Sequence, residues 1–149
     1  MDYIEALQAY NEDEPSLFLA GGITGCSDWQ REMVLALNHT SLVILNPRRS
    51  PFPSHEGAAR EQIIWEYVHL RKATAISFWF PKETLCPITL YELGAWSMTS
   101  KKLFVGVHPD YQRIQDVQIQ TSLVRPDVQI VTSIEDLAQE IAVWAKECM

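Results

Sequence analysis

Five short and almost continuously apolar runs, each followed by a segment with helical spacing, limit what this chain can become. They are 16–20 (SLFLA), 42–46 (LVILN), 75–80 (AISFWF), 103–107 (LFVGV) and 128–131 (VQIV). Each has strand length. A strand with one wet face alternates apolar and polar residues; runs apolar at nearly every position fit strands covered on both faces, as in parallel sheets.

The intervening segments read as helices. Ser27 and Gln30 form a capping-box pattern, followed by Trp29, Met33 and Leu37 at four-residue spacing. Residues 58–72 carry Ile63, Ile64, Tyr67, Val68 and Arg71, again at helical spacing. Pro87 suits a first helical position, with Leu90, Leu93 and Ala95 continuing toward Ser100. A short helical turn is expected within 112–123, and Ser133 with Asp136 caps a last helix bearing Leu137, Ile141 and Trp144. Strand alternating with helix five times predicts an α/β fold: one three-layer, flavodoxin-like or Rossmann-like domain over residues 1–149. Its five-stranded parallel sheet takes the order 2-1-3-4-5 common in that class.

The 149 residues suffice for a hydrophobic core, and 47% hydrophobic with 21% charged residues is ordinary globular composition. A net charge of −7 leaves no basic face for a phosphate backbone, which argues against nucleic-acid polymers as partners. Cys26, Cys86 and Cys148 are odd in number and lack metal-ligand spacing, which predicts a reducing, cytoplasmic setting and no metal. The acidic N-terminus does not read as a signal peptide, and no apolar run approaches the roughly 18 residues of a membrane span.

In doubly wound sheets, ligands bind beyond the carboxyl ends of the strands. The loop after the first run, Gly21-Gly22-Ile23-Thr24-Gly25, lets backbone amides approach a ligand, although it serves equally as a tight strand-to-helix turn. After the second run, Asn46, Arg48 and Phe52 lie on a proline-rich path that can set a side chain over a planar base; a plain solvated loop reads the same way. Two carboxylates stand among apolar neighbours: Glu66, beside Trp65 and Tyr67, and Glu92, between Tyr91 and Leu93. An unpaired buried charge is expensive, so carboxylates in such company point to chemistry, or to exposed positions on their helices.

Leu19-Ala20-Gly21-Gly22-Ile23-Thr24-Gly25, then Trp65-Glu66, then Tyr91-Glu92-Leu93-Gly94 resemble the nucleoside 2-deoxyribosyltransferase family, in particular its short divergent members. Leu45-Asn46-Pro47-Arg48-Arg49 and His108-Pro109-Asp110-Tyr111 extend the resemblance, which runs roughly from Leu17 to Leu137. It implies that Glu92 is the nucleophile and that Glu66, where the family usually has Asp, handles the proton of the nucleobase. Glu92 would attack the anomeric carbon, expel the base and form a glycosyl ester; a second base would then attack with net retention. An elevated pKa would suit Glu66 to that task.

Gly21, Gly22, Ile23, Thr24, Asn46, Arg48, Phe52, Trp65 and Thr89 are the expected substrate contacts, nucleosides and free nucleobases the partners, and no cofactor is required. Departures from the family are clear. Thr74 follows Ala73 where Ala-Asp is usual, Cys86 replaces a sugar-binding Asp, and the C-terminus has no counterpart of the family's site-completing Asn. Thr89 or the backbone at 21–24 is then expected to take the sugar hydroxyls. The resemblance also implies a homo-oligomer packed around the Glu92 helix. Hydrolysis of a nucleoside or its 5′-monophosphate, and non-catalytic sensing of a nucleotide-like ligand, are the competing functions.

Overall fold

A computed structural model describes residues 1–10, 14–49 and 53–148 of the chain. Among these residues six parallel strands form one sheet: β1 (Asp2–Glu5), β2 (Ser16–Gly21), β3 (Val43–Asn46), β4 (Ala75–Phe80), β5 (Lys102–Val107) and β6 (Ile130–Val131). Their order is β1-β3-β2-β4-β5-β6. The strands from β2 to β6 are the five apolar runs, and among themselves they follow the expected 2-1-3-4-5.

The extra strand corrects the expected five. Asp-Tyr-Ile-Glu contains no apolar run, yet it pairs with β3 from Asp2 opposite Val43 to Glu5 opposite Asn46. It lies at the edge, where one side of the strand has no partner strand among the described residues and charged side chains reach water.

Helices α1 (Trp29–Ala36) and α5 (Ile134–Glu147) cover one face; α2 (Ala58–Lys72), α3 (Pro87–Ser97) and α4 (Ile114–Val124) cover the other. Alternate strand residues feed two cores. Phe18, Ile76 and Phe78 meet Trp65, Leu93 and Val117 on the α2–α4 side, whereas Leu17, Leu19 and Trp79 meet Trp29, Met33 and Ile141 on the other. Burial on both faces explains why these strands show no polar alternation.

Local chemistry fixes the helix ends. Asp28, rather than Ser27, caps α1, its carboxylate accepting the Arg31 N–H at 3.1 Å. Ser133 Oγ accepts the Asp136 N–H at 3.1 Å and starts α5 as expected. Thr74, where the resembled family has Asp, serves the sheet. Its Oγ1 accepts the Ser16 N–H at 3.0 Å, and Ser16 Oγ accepts the Thr74 N–H at 3.1 Å, tying the starts of β2 and β4.

The chain leaves β2 through α1 to β3, then returns across β2 through α2, on the opposite face, to β4. Connections therefore diverge at the carboxyl ends of β2 and β4, and a crevice opens there. Gly21 ends β2 at that point. A Cβ on it would lie 2.2 Å from the Trp29 ring and 2.6 Å from the Trp79 carbonyl oxygen. By contrast, a Cβ on Gly94 in α3 would meet nothing within 4 Å. Urea unfolding should therefore show Gly21→Ala losing about 1–3 kcal/mol. In the same assay Gly94→Ala should gain roughly 0.5–1 kcal/mol from helix propensity. An unchanged midpoint for Gly21→Ala would contradict the close packing at the crevice.

Candidate active site

At the crevice lies a cleft of about 330 Å³. Gly21, Gly22, Ile23 and Thr24 form one wall, Pro47 follows from β3, and Ile63 with Glu66 come from α2. Thr84, Cys86, Ile88, Thr89 and Glu92 complete it from the β4–α3 connection and the start of α3.

Helical periodicity selects which side chains reach this space. On α2, Gln62, Trp65 and His69 turn into the core, which leaves Ile63 and Glu66 on the adjoining stripe. On α3, Thr89, Leu93 and Ser97 are buried, and Ile88 with Glu92 face the cleft. The helix starts abruptly: Cys86 sits in the left-handed region at φ 50°, and Pro87 begins the first turn.

Buried hydrogen bonds hold the glycine loop. The Gly22 carbonyl accepts both Trp29 Nε1–H at 2.9 Å and Gln30 Nε2–H at 3.0 Å. Arg48 fastens the next turn, donating to the Ser27 carbonyl at 2.8 Å, the Cys26 carbonyl at 3.1 Å and Gln30 Oε1 at 3.1 Å. Gly22 must lack a side chain, because a Cβ there would stand 2.9 Å from Cys86 Sγ and 3.1 Å from Cys26 Sγ.

Both carboxylates are partly buried, and both titrate well above the ordinary range. Burial pushes Glu66 up to about 7, although a hydrogen bond from Gln62 and the charge of Arg49 pull it back. Burial and the charge of Glu66 push Glu92 up to about 8. The two groups behave as one coupled system, holding about one proton between them near neutral pH. Burial likewise pushes the Cys86 thiol up to about 12, so it faces the cleft uncharged.

A second, more apolar groove of about 420 Å³ adjoins the first and shares Ile63, Glu66, Ile88 and Glu92 with it. Tyr67, Tyr91 and Trp96 line its far side. The carboxylate pair thus stands where the glycine-walled cleft meets an aromatic groove.

Of the side chains expected from the sequence to touch substrate, Gly21, Gly22, Ile23, Thr24, Thr89, Glu66 and Glu92 converge on the cleft. Three others do not line it. Trp65 is buried, stacked on His69 with centroids 4.1 Å apart, and donates to the Gln8 carbonyl at 3.0 Å. Asn46 donates to Tyr3 Oη at 2.9 Å and accepts the Arg48 N–H at 2.9 Å, while Arg48 is spent on the loop it braces. Phe52 lies outside the described residues. The sequence reading missed Pro47, Ile63, Thr84 and Ile88, whose types carry no chemical signal and whose positions matter only once the helices are docked.

Among the described residues, no group of three or more His, Cys, Asp or Glu could hold a metal ion. Nor is any helix long and apolar enough to cross a membrane.

The raised carboxylates make stability depend on pH. An unfolded Glu releases its proton near 4.5, whereas these two hold theirs to about 7 and 8, so the native state binds more protons in between. Stability from this source is full below about 4.5 and is lost as pH rises toward 8. Thermal unfolding should show the melting temperature falling from pH 5 to pH 8, with a shallower fall in Glu92→Gln. A slope that Glu92→Gln leaves untouched would mean the pair is not desolvated.

Residues 14–111, which are 98 of the 149, match the family model described as nucleoside 2-deoxyribosyltransferase like. No curated protein matches the chain. The matched stretch contains the glycine loop, both carboxylates and the β4–α3 connection that form the cleft. With that match over about two thirds of its length, the chain belongs to the nucleoside 2-deoxyribosyltransferase-like family.

Proposed function

We propose that the protein transfers a 2-deoxyribosyl group between nucleobases through a covalent ester on Glu92, with retention of configuration. One observation carries this reading: two partly buried carboxylates from different helices line the same cleft at the point where the sheet connections diverge. The family's activity on nucleosides and nucleobases supports it.

The pair's single proton suits the first step. Before a base is engaged, Gln62 and Arg49 favour the ionised form of Glu66, which leaves the proton toward Glu92. A bound nucleobase whose ring nitrogen accepts a hydrogen bond from protonated Glu66 draws the proton across and frees Glu92 as a carboxylate. Glu92 then bonds to the anomeric carbon, the N-glycosidic bond breaks, and the departing nitrogen takes the proton from Glu66. The reverse sequence with a second base completes transfer. Every proton and electron pair is accounted for by these two side chains, and no cofactor enters.

Thr24, Thr89 and the backbone of the glycine loop are the groups we assign to the sugar hydroxyls, with neutral Cys86 where the family has an Asp. The apolar groove beside the pair suits the base, with Tyr91 or Tyr67 available for stacking. Ile63, Ile64, Tyr67, Ile88 and Tyr91 are each between 48% and 77% exposed on neighbouring faces of α2 and α3. So much apolar surface beside the site supports a homo-oligomer built on these two helices. Three free thiols fit a cytoplasmic setting.

Incubation with deoxyinosine and adenine should yield deoxyadenosine, followed by chromatography. Glu92→Gln should lower the exchange rate roughly 10³-fold or more, since the covalent step is lost. Hypoxanthine and free deoxyribose without exchange would make the protein a hydrolase. No reaction with any deoxynucleoside or 5′-monophosphate would favour a ligand sensor.

A further inference from the structure

The proton-handling carboxylate is attached to a second pair of side chains. Gln62 is buried one helical turn before Glu66 and uses each of its polar atoms. Its Oε1 accepts Arg49 Nε–H at 3.0 Å, and its Nε2 donates to the Pro47 carbonyl at 2.7 Å. One turn further along α2, this amide and the charge of Arg49 hold the Glu66 carboxyl below where burial alone would put it. Gln62 therefore fastens the segment after β3, including cleft-lining Pro47, to α2, and brings the guanidinium of Arg49 toward Glu66.

We propose that Arg49 and Gln62 are positioning residues for Glu66, orienting its carboxylate and sustaining its charge in the half-reaction where an incoming base must give up a proton. The inference rests on the reading of Glu92 and Glu66 as a glycosyl-transfer pair. The two half-reactions ask opposite things of Glu66. When the first base leaves, Glu66 must be protonated, and the nearby charge of ionised Glu92 favours that state. In the second half, the nitrogen of the incoming base bonds to the anomeric carbon, and the ester bond to Glu92 breaks. Its electron pair returns to the Glu92 carboxylate, and the N–H proton passes to Glu66. Throughout that step's approach Glu92 is an uncharged ester, so its repulsion is gone while burial still opposes ionisation of Glu66. Gln62 and Arg49 are the groups that oppose burial at Glu66.

Among the described residues, the other titratable or charged groups facing Glu66 include the uncharged Cys86 thiol at the head of α3. Glu92 and Tyr91 approach from α3, Arg49 from the segment after β3, and Tyr67 with Arg71 from its own helix along the apolar groove. Arg71 is engaged with the Tyr67 ring, its guanidinium carbon 3.6 Å from the centroid. Among the described residues, Arg49 is the cation whose charge lowers the Glu66 pKa.

The test reads Glu66 directly and then through turnover. In Glu92→Gln, where the neutral amide stands in for the ester, carbon-13 NMR of labelled glutamate gives the titration midpoint of Glu66. Adding Arg49→Met or Gln62→Met should raise that midpoint by about one pH unit, tenfold less carboxylate at a given pH above it. Adding Arg49→Lys, which keeps the charge, should restore most of the shift. In the otherwise native chain, Arg49→Met should release the first base in a burst within about twofold of the native rate. Its exchange turnover at pH 6 should fall about tenfold and recover as pH rises.

An unmoved Glu66 midpoint, or both half-reactions slowed equally at every pH, would overturn the assignment. If Gln62→Met melts early, Arg49→Met alone decides the matter. Should the native protein neither release nor exchange a base, the transfer reading fails, and the NMR midpoint still decides whether Arg49 and Gln62 govern Glu66.

Discussion

One indole and one amide donor meeting on a single carbonyl oxygen hold the crevice end of this molecule together. Trp29 Nε1 and Gln30 Nε2 both bond to the Gly22 oxygen out of contact with water, so the loop after β2 cannot drift without leaving a buried donor unsatisfied. Each neighbouring feature presupposes that anchor. Gly21 must be bare because the same Trp29 ring lies against it, and Gly22 must be bare because Cys26 and Cys86 flank it. Arg48 then binds the following turn through three acceptors, which turns its guanidinium to the β2–α1 connection rather than into the cleft. The first wall of the cleft is thereby preorganised before any substrate arrives.

Against that fixed wall, two helices bring in carboxylates. Their desolvation is unfavourable to the folded state, and the fold tolerates it by letting the pair keep a proton near neutral pH. The glycosyl transfer proposed above draws on the same compromise, since it needs one carboxylate to attack and one to pass a proton. Asymmetry between them arises one layer out. Glu66 has Gln62 and Arg49 beside it, whereas Glu92 is influenced chiefly by burial and by Glu66 itself.

Much of the fold was legible in the order of residues. The runs at 75–80 and 58–72 coincide with β4 and α2, and Pro87 and Ser133 start α3 and the capped end of α5 where local chemistry says they should. These features rest on interactions within a few residues, namely periodicity, φ restriction and capping, so sequence reports them well. β1 escaped notice because its pairing with β3 joins Tyr3 to Ile44 across some forty residues, and its own four residues look like an exposed acidic tail. Ser27 lost the α1 cap to Asp28 by a single residue, a margin that periodicity cannot resolve.

At the site the division is the same. Glycines in a loop after a strand, and glutamates set among apolar residues, marked Gly21, Gly22, Glu66 and Glu92 before any coordinates. Trp65, Asn46 and Arg48 carried equal promise by residue type, but a side chain has only one direction in which to point. Docking of α2 turned Trp65 inward onto His69, β1 claimed Asn46 through Tyr3, and the β2–α1 turn claimed Arg48. Sequence settled which chemical groups the chain possesses and the local elements that carry them. Packing of helices on the sheet settled which of those groups share one desolvated space, because that depends on contacts between residues far apart in the chain.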